Sequence, residues 1–192
     1  MLNALFVRPA PFPFSARPSE TFPSWLIKLL PFLPFDLWNE YYPPYDIAYV
    51  APLANSGHNF SFLDLPSTCP PRRKRKYLKA IRDKDAIIFS SSLHNFPFVL
   101  ELSAMAKRIF PEIKTIVMGY ASCLLKYMNS LCANDLPIDF LILGEPECAF
   151  PDILRFLEGK EKMRNVPNLA FAKRGRILKT RRAYPDLNAL PI

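Results

Sequence analysis

The stretch D-F-L-I-L-G-E-P-E-C-A-F-P-D-I-L-R-F-L, from Asp139 to Leu157, decides the predicted fold. Its first segment, D-F-L-I-L, is apolar after the aspartate, which is typical of a strand buried on both faces of a parallel sheet. Gly144 then permits a sharp turn, and Glu145 and Glu147 stand where a helix N-terminus favours negative charge. The apolar residues beyond them recur three and four positions apart, so the stretch predicts a strand, a tight turn and a helix.

The same alternation of strand and helix runs through the rest of the chain. Strands are predicted at Asn3–Val7, Asn59–Leu65, Ala86–Phe89 and Thr115–Met118. Helices are predicted at Tyr45–Asn55, from Pro70 through the basic run that follows, at Phe96–Phe110 and at Leu124–Leu131. Five strands that alternate with helices through right-handed crossovers define an α/β fold, a Rossmann-like doubly wound five-stranded parallel sheet.

Two short segments near the end of the chain predict a C-terminal β-hairpin. Leu169–Ala172 and Arg176–Thr180 flank Lys173-Arg174-Gly175, where the glycine accepts a positive φ. We therefore expect residues 1–159 to form one Rossmann-like domain and residues 160–192 to form the hairpin and an extended tail. Residues 10–44 are crowded with proline and aromatic residues, and we interpret them as an insertion that covers part of the core as a lid. A membrane-interface helix is the alternative for this insertion.

The chain is basic, with 25 lysines and arginines against 17 acidic residues, a net charge of +8 and a pI near 9.4. Such a charge fits nucleic acid or an anionic surface as a partner, and it equally fits a surface that aids solubility. The run Arg72–Lys76 has the same two interpretations, a solvated helix face or a contact for phosphate or a partner. No recognised nucleic-acid motif accompanies the charge, so nucleic acid stays an alternative.

Cysteine spacing, hydropathy and motif content exclude several classes of function. The four cysteines, Cys69, Cys123, Cys132 and Cys148, include no C-x-x-C pair, so neither a zinc knuckle nor a redox dithiol is indicated. Reduced thiols in a cytoplasmic protein are expected instead. The apolar stretch Trp25–Trp38 is broken by prolines and is too short to span a bilayer. Neither G-x-G-x-x-G nor a G-x-x-x-x-G-K motif follows the first strand, and no catalytic set of side chains is visible.

Five segments in a fixed order carry a resemblance to a known family. They are the P-P-Y-D-I-A-Y-V-A segment that starts at Pro43 and leads to Gly57-His58, then Ser90-Ser91, Asn95-Phe96-Pro97, Gly144-Glu145-Pro146-Glu147 and Val166-Pro167-Asn168-Leu169-Ala170. In this order they resemble the cobalamin-binding domain that precedes many radical S-adenosylmethionine (SAM) enzymes. The resemblance runs from Asn3 to the last residue of the chain.

The resemblance implies a domain that binds cobalamin against the carboxyl edge of its sheet, with no iron–sulfur cluster in this chain. It places the ligand on the loops after strands one, three, four and five, at Arg8, Pro9, Ala10, Ser90, Ser91, Ser92, Leu93, Gly119, Tyr120, Ala121, Gly144 and Glu145. The serine hydroxyls there leave room and offer hydrogen bonds, and the two glycines allow close backbone approach. The expected partners are cobalamin and a radical SAM domain or subunit, with which the cofactor would relay methyl groups.

Several features depart from the family pattern. Where the family has D-x-H-x-x-G after strand one, residues 8–13 read R-P-A-P-F-P, so no histidine of that loop ligates cobalt. His58 and His94 are interpreted as hydrogen-bonded structural residues, and Tyr120 stands where the family has a second glycine. The C-x-x-x-C-x-x-C run that would hold a cluster does not occur. The chain is therefore expected to be non-catalytic alone and to act as part of a cobalamin-dependent radical SAM methyltransferase-like enzyme.

Two other functions stay open as alternatives. The first is a degenerate Rossmann-like interaction protein that binds no cofactor and uses its basic surface to bind a partner or nucleic acid. The second is an enzyme that acts on a small anionic ligand at the Gly144 turn, although no base and nucleophile accompany it. Glu145 and Glu147 could form a carboxylate pair, but helix N-capping explains them more simply.

Overall fold

A seven-stranded, mostly parallel sheet organises the computed structural model, which describes residues 1–9, 50, 57–65, 70–91, 95–119 and 136–186. Its strands are β1 (Asn3–Arg8), β2 (Asn59–Asp64), β3 (Ala86–Ser91), β4 (Lys114–Gly119), β5 (Phe140–Ile142), β6 (Leu169–Lys173) and β7 (Arg176–Lys179). They lie in the order β2-β1-β3-β4-β5-β6-β7, and the first five pair in parallel. The α/β fold class and the five parallel strands predicted from the sequence are therefore confirmed.

Helices cover both faces of the sheet, as a doubly wound fold requires. They are α1 (Pro70–Ala80), α2 (Phe96–Ile109) and α3 (Pro146–Leu157), and a short 3-10 turn spans Met163–Asn165. Buried side chains of α1 and α2 pack on one face, around Tyr77, Leu102 and Phe89. Buried side chains of α3 pack on the other, where Phe150 contacts Phe6. No helix in the described ranges is long and apolar enough to cross a membrane.

Ile109 of α2 and Phe62 of β2 are apolar side chains that stay exposed. Ile109 is 45% exposed because it occupies the last position of α2, beside a cavity. Phe62 is 49% exposed. It lies on β2, the edge strand of the described sheet, which has a neighbouring strand on one side only. Val99, Leu102 and Ala106, spaced three and four positions apart on α2, are buried.

The C-terminal hairpin is confirmed, and it extends the same sheet. β6 pairs antiparallel with β5 through Leu141↔Ala170 and Ile142↔Leu169, and β7 pairs antiparallel with β6. The residues after β7 therefore leave from the edge at which the parallel strands end.

Several sequence predictions lie outside the described residues. They are the insertion at 10–44, the helix at 124–131 and, apart from Val50, the helix at 45–55.

Candidate functional site

The described candidate residues gather at the carboxyl edge of the sheet. β1, β3, β4 and β5 are consecutive neighbours in the sheet, and they run in parallel, so their C-terminal ends meet at one edge. This edge carries Arg8, Pro9, Ser90, Ser91, Gly119, Gly144 and Glu145. Open α/β sheets bind ligands at this edge. Ala10, Ser92, Leu93, Tyr120 and Ala121, also predicted from the sequence, lie outside the described part of the chain.

Arg8 is held by a carboxylate that the sequence analysis missed. Its register partner on the edge strand is Asp64, and Arg8 Nε donates to Asp64 Oδ1 at 3.1 Å while its terminal nitrogen donates to Asp64 Oδ2. Such a bidentate pair fixes the guanidinium plane. The Arg8 side chain is thus directed toward β2, and it braces the end of β1 at the rim of the site.

A second link joins the ends of β1 and β3. The buried Ser91 hydroxyl donates to Asn95 Oδ1 at 3.1 Å, and Asn95 Nδ2 donates to the Pro9 carbonyl at 3.5 Å. Asn95 also begins α2 as its N-cap residue. Asn95 was seen in the sequence only as part of a motif, because nothing local shows that it reaches a residue 86 positions away.

Position 119 has to be a glycine because the neighbouring strand leaves no space for a side chain. Its φ is +118°, and a Cβ atom built there would lie 2.0 Å from the backbone oxygen of Ser91, its register partner on β3. Real Cβ atoms do not approach a backbone oxygen so closely. The close backbone approach at this glycine is therefore made by β3 itself.

Gly144 has a different environment. Its φ is +84°, and a Cβ atom there would meet none of the described residues within 4 Å. The residue before it, Leu143, donates its backbone N–H to the Asn168 carbonyl at 2.6 Å, which holds the end of β5 against the chain entering β6. Open space thus lies beside the turn at the end of β5.

The first turn of α3 brings two carboxylates and a thiol to this edge. Glu145 is the N-cap residue, but its side chain makes no capping hydrogen bond. Its carboxylate therefore favours this helix end only through its negative charge. Oε2 of Glu147 is buried and has no hydrogen-bond partner within the described residues. Burial raises the pKa of the Cys148 thiol, and the charges of Glu147 and Glu145 raise it further. Cys148 is therefore a thiol at neutral pH and a poor nucleophile.

The opposite, amino edge of the sheet holds His58 and a cavity. The His58 side chain is almost fully buried, its Nδ1 accepts a hydrogen bond from the Leu2 N–H at 3.3 Å, and it lies 3.6 Å from Glu158 Oε1. This agrees with the structural role predicted for it, whereas His94 is outside the described residues. The cavity, of about 530 Å³, is lined by residues such as Leu2, Phe110 and Leu157.

The described ranges contain no cluster of three His, Cys, Asp or Glu residues that could hold a metal ion.

Comparison with known proteins gives structural relatives only. No family model matches the sequence, and no curated protein matches it. The cobalamin-dependent SAM radical enzyme OxsB, solved with aqua-cobalamin and SAM bound, matches at a TM-score of 0.62 and 10% identity over 100% of this chain and 24% of that chain. The radical SAM methyltransferase TsrM from Kitasatospora setae, with tryptophan and a SAM analogue bound, matches at 0.59 and 12% over 96% of this chain and 31% of that chain.

A second TsrM structure, with cobalamin and a 4Fe–4S cluster bound, matches at a TM-score of 0.54 and 14% identity. At such identities the likeness shows the fold, which is Rossmann-like and agrees with the fold predicted from the sequence. The structural neighbours are thus cobalamin-dependent radical SAM enzymes. This chain spans about a quarter of the length of OxsB.

Proposed function

We propose that this chain is a cobalamin-binding module of a radical SAM system, acting as a domain or as a subunit beside a radical SAM partner. The observation that supports the proposal is the match of the whole chain to part of an enzyme whose structure holds aqua-cobalamin. The order of segments that resembles the cobalamin-binding family in the sequence supports it independently. In this proposal residues 1–159 bind the cofactor, and residues 160–192 lead toward the partner.

The described residues at the carboxyl edge fit a large, mostly apolar ligand with amide arms. The turn at Gly144 leaves open space at the end of β5, where a flat ring could approach the backbone. Glu147 Oε2 has no hydrogen-bond partner among the described residues, and an amide N–H of the ligand would satisfy it, because a buried acceptor without a partner is unfavourable. Ser90 is partly exposed at the end of β3, whereas the Ser91 hydroxyl is buried and donates to Asn95.

The chain's own contribution is to bind and orient the cofactor. The Arg8–Asp64 pair and the Ser91–Asn95–Pro9 link hold the ends of β1 and β3 in place before any ligand arrives. Such preorganisation lowers the entropy lost on binding. We further propose that no histidine of this chain ligates cobalt. The loop after β1 reads R-P-A-P-F-P, His58 lies at the opposite edge, and His94 follows β3 and not β1, after which the family carries its ligating histidine.

Bound cobalamin would supply methyl-group relay to a partner that carries the radical SAM chemistry. The described residues include no paired base and nucleophile at the carboxyl edge, and the Cys148 thiol has a raised pKa. We therefore propose that the chain is not catalytic alone. Reduced thiols and this partnership also lead us to propose a cytoplasmic location.

The proposal is tested by loading the protein with hydroxocobalamin, removing free ligand by gel filtration and recording the visible spectrum. We expect one corrin per chain, and an EPR spectrum of the reduced Co(II) form without coupling to a histidine nitrogen. Gly144→Asn should weaken binding, because asparagine tolerates a positive φ and its side chain would fill the open space.

Gly159→Asn is the matched control. Gly159 also has a positive φ, +75°, and open space beside it, but it follows α3 at the amino edge. The Gly159→Asn substitution should therefore leave cobalamin binding unchanged. Protein that takes up no corrin would favour the alternative, an interaction protein without cofactor.

A further inference from the structure

The outer hairpin concentrates the positive charge of the chain. We call residues 173–182 the basic hairpin. It holds six of the 25 lysines and arginines and none of the 17 acidic residues, so it accounts for most of the net charge of +8. All six side chains are exposed: Lys173, Arg174, Arg176, Lys179, Arg181 and Arg182. Within the described part of the chain none of them forms an ion pair.

The turn of the basic hairpin has an arginine at a position that does not suit a large side chain. Arg174 has a φ of +51° and Gly175 a φ of +75°, the two positive angles of a type I′ turn, where Asn-Gly is the favoured pair. Lys173 and Arg176 face each other directly across the strands, and like charges in that position are destabilising. Lys173, Arg174 and Arg176 thus lie together at a turn that fewer cations would make more stable. This arrangement points to an anionic ligand.

Protection of a sheet edge is the competing explanation. β7 is the last strand of the described sheet, and cations on an edge strand discourage pairing with a second chain. Arg176 and Lys179, which lie on the strand itself, would be enough to protect the β7 edge. Edge protection does not account for Arg181 and Arg182, which follow the strand, or for the cation at a strained turn position.

An aromatic platform adjoins these cations. The Tyr184 ring is 75% exposed, and the guanidinium carbon of Arg182 lies 5.2 Å from its centroid. The segment is anchored, because Asn168 Nδ2 donates to the Ala183 carbonyl at 2.8 Å and the Ala183 N–H donates to Asn168 Oδ1 at 2.9 Å. An exposed, anchored ring beside a row of cations is the combination that binds single strands, with phosphates on the cations and a base on the ring.

We propose that the basic hairpin and Tyr184 form a binding site for single-stranded nucleic acid. The Tyr184 end of the site adjoins the carboxyl edge, where β7 ends, and the turn of the hairpin lies at the amino edge. The site uses none of the residues placed against cobalamin. The inference therefore does not rest on the proposed cofactor function, and the two can fail separately. The exposed Tyr184 ring favours nucleic acid over an acidic protein as the partner, because an acidic protein would need only the cations.

The test measures binding of a fluorescent oligouridine of about 12 nucleotides, within the site sizes of single-strand binders, by polarisation across salt concentrations. A hairpin variant, R176Q/K179Q/R181Q, removes three cations of the site. The matched control, R75Q/K79Q/R82Q, removes three exposed cations on and just after α1, which packs near the other end of the sheet. Both variants lower the net charge equally, and circular dichroism checks that each is folded.

We expect the hairpin variant to weaken binding at least about tenfold and to flatten the slope of log K against log salt by up to about 2, since each phosphate contact contributes about 0.7 on a single strand. The control should stay within about twofold of the parent. Y184A should weaken binding about five- to a hundredfold, the range for one stacked base, with the salt slope unchanged.

Three results would overturn the proposal. They are no binding of oligouridine at low salt, equal losses in the hairpin and control variants, and tight binding of polyglutamate with no effect of Y184A. The last result would assign the surface to an acidic protein partner.

Discussion

Replacing each carboxyl-edge glycine with alanine should reveal two different requirements for glycine at the same edge. At Gly119 the new Cβ would lie 2.0 Å from the Ser91 oxygen, whereas an ordinary contact begins near 3.4 Å. The two strands would have to separate by more than 1 Å, although paired strands normally lie about 4.8 Å apart. At Gly144 the new Cβ would meet none of the described residues within 4 Å, so only the backbone conformation is strained.

These contacts translate into different losses of stability. For Gly119→Ala we add about 1–3 kcal/mol for backbone strain and about 1–3 kcal/mol for overpacking, and expect the free energy of unfolding to fall by about 4 kcal/mol. For Gly144→Ala we expect about 1–2 kcal/mol from the positive φ alone. With about 2–4 °C of Tm per kcal/mol for a chain of this size, the melting temperatures should fall by about 8–16 °C and about 2–8 °C.

Urea unfolding at neutral pH, followed by far-ultraviolet circular dichroism, measures both variants against the parent. Equal m-values would show that the native and unfolded states have kept their exposed areas. A Gly119→Ala variant as stable as Gly144→Ala would contradict the close approach of β4 to β3. That result would return Gly119 to the role of making room for a ligand.

Three further predictions concern side chains outside the parallel strands. Asn168→Ala removes both hydrogen bonds to Ala183 and places alanine at a φ of +52°, so hydrogen exchange at residues 181–186 should accelerate while the amides of the buried parallel strands stay protected. Glu147→Gln removes a charge that raises the pKa of the Cys148 thiol, so alkylation of Cys148, followed by peptide mass spectrometry, should be faster than in the parent at the same pH. The Lys160 hydrogen bond, with help from the N-terminal amine, lowers the pKa of Glu158, so its ionised form stabilises the folded state. The stability lost in Glu158→Gln should be constant above the ordinary glutamate pKa of about 4.3 and should shrink as the pH falls below it, because the parent carboxylate is then protonated as well.

Local patterns were enough to predict the described strands and the three described helices of this fold. The apolar run at Phe140–Ile142, the alternation around Arg174-Gly175 and the helical spacing in α2 and α3 are properties of short segments, and each was located within a few residues. The strand predicted over residues 139–143 forms β5 at Phe140–Ile142, and the N–H of Leu143 is donated to Asn168, a partner that no local pattern reveals.

The candidate site was predicted only in part, because its contacts join distant residues. Asp64, Asn95 and Asn168 hold the carboxyl edge together, yet their partners lie 56, 86 and 15 positions away. The sequence indicated that Gly119 needed freedom from a side chain, but only the strand register shows that the neighbour is Ser91. Whether the twelve predicted positions contact a ligand stays a prediction.

The most direct measurement is a titration of the full chain with hydroxocobalamin, followed by gel filtration and the visible spectrum of the protein fraction. A corrin band at one equivalent per chain, lost in Gly144→Asn and kept in Gly159→Asn, is the result expected for a cofactor seated over the end of β5. A colourless protein fraction at saturating ligand, or a band that both variants retain equally, would contradict it.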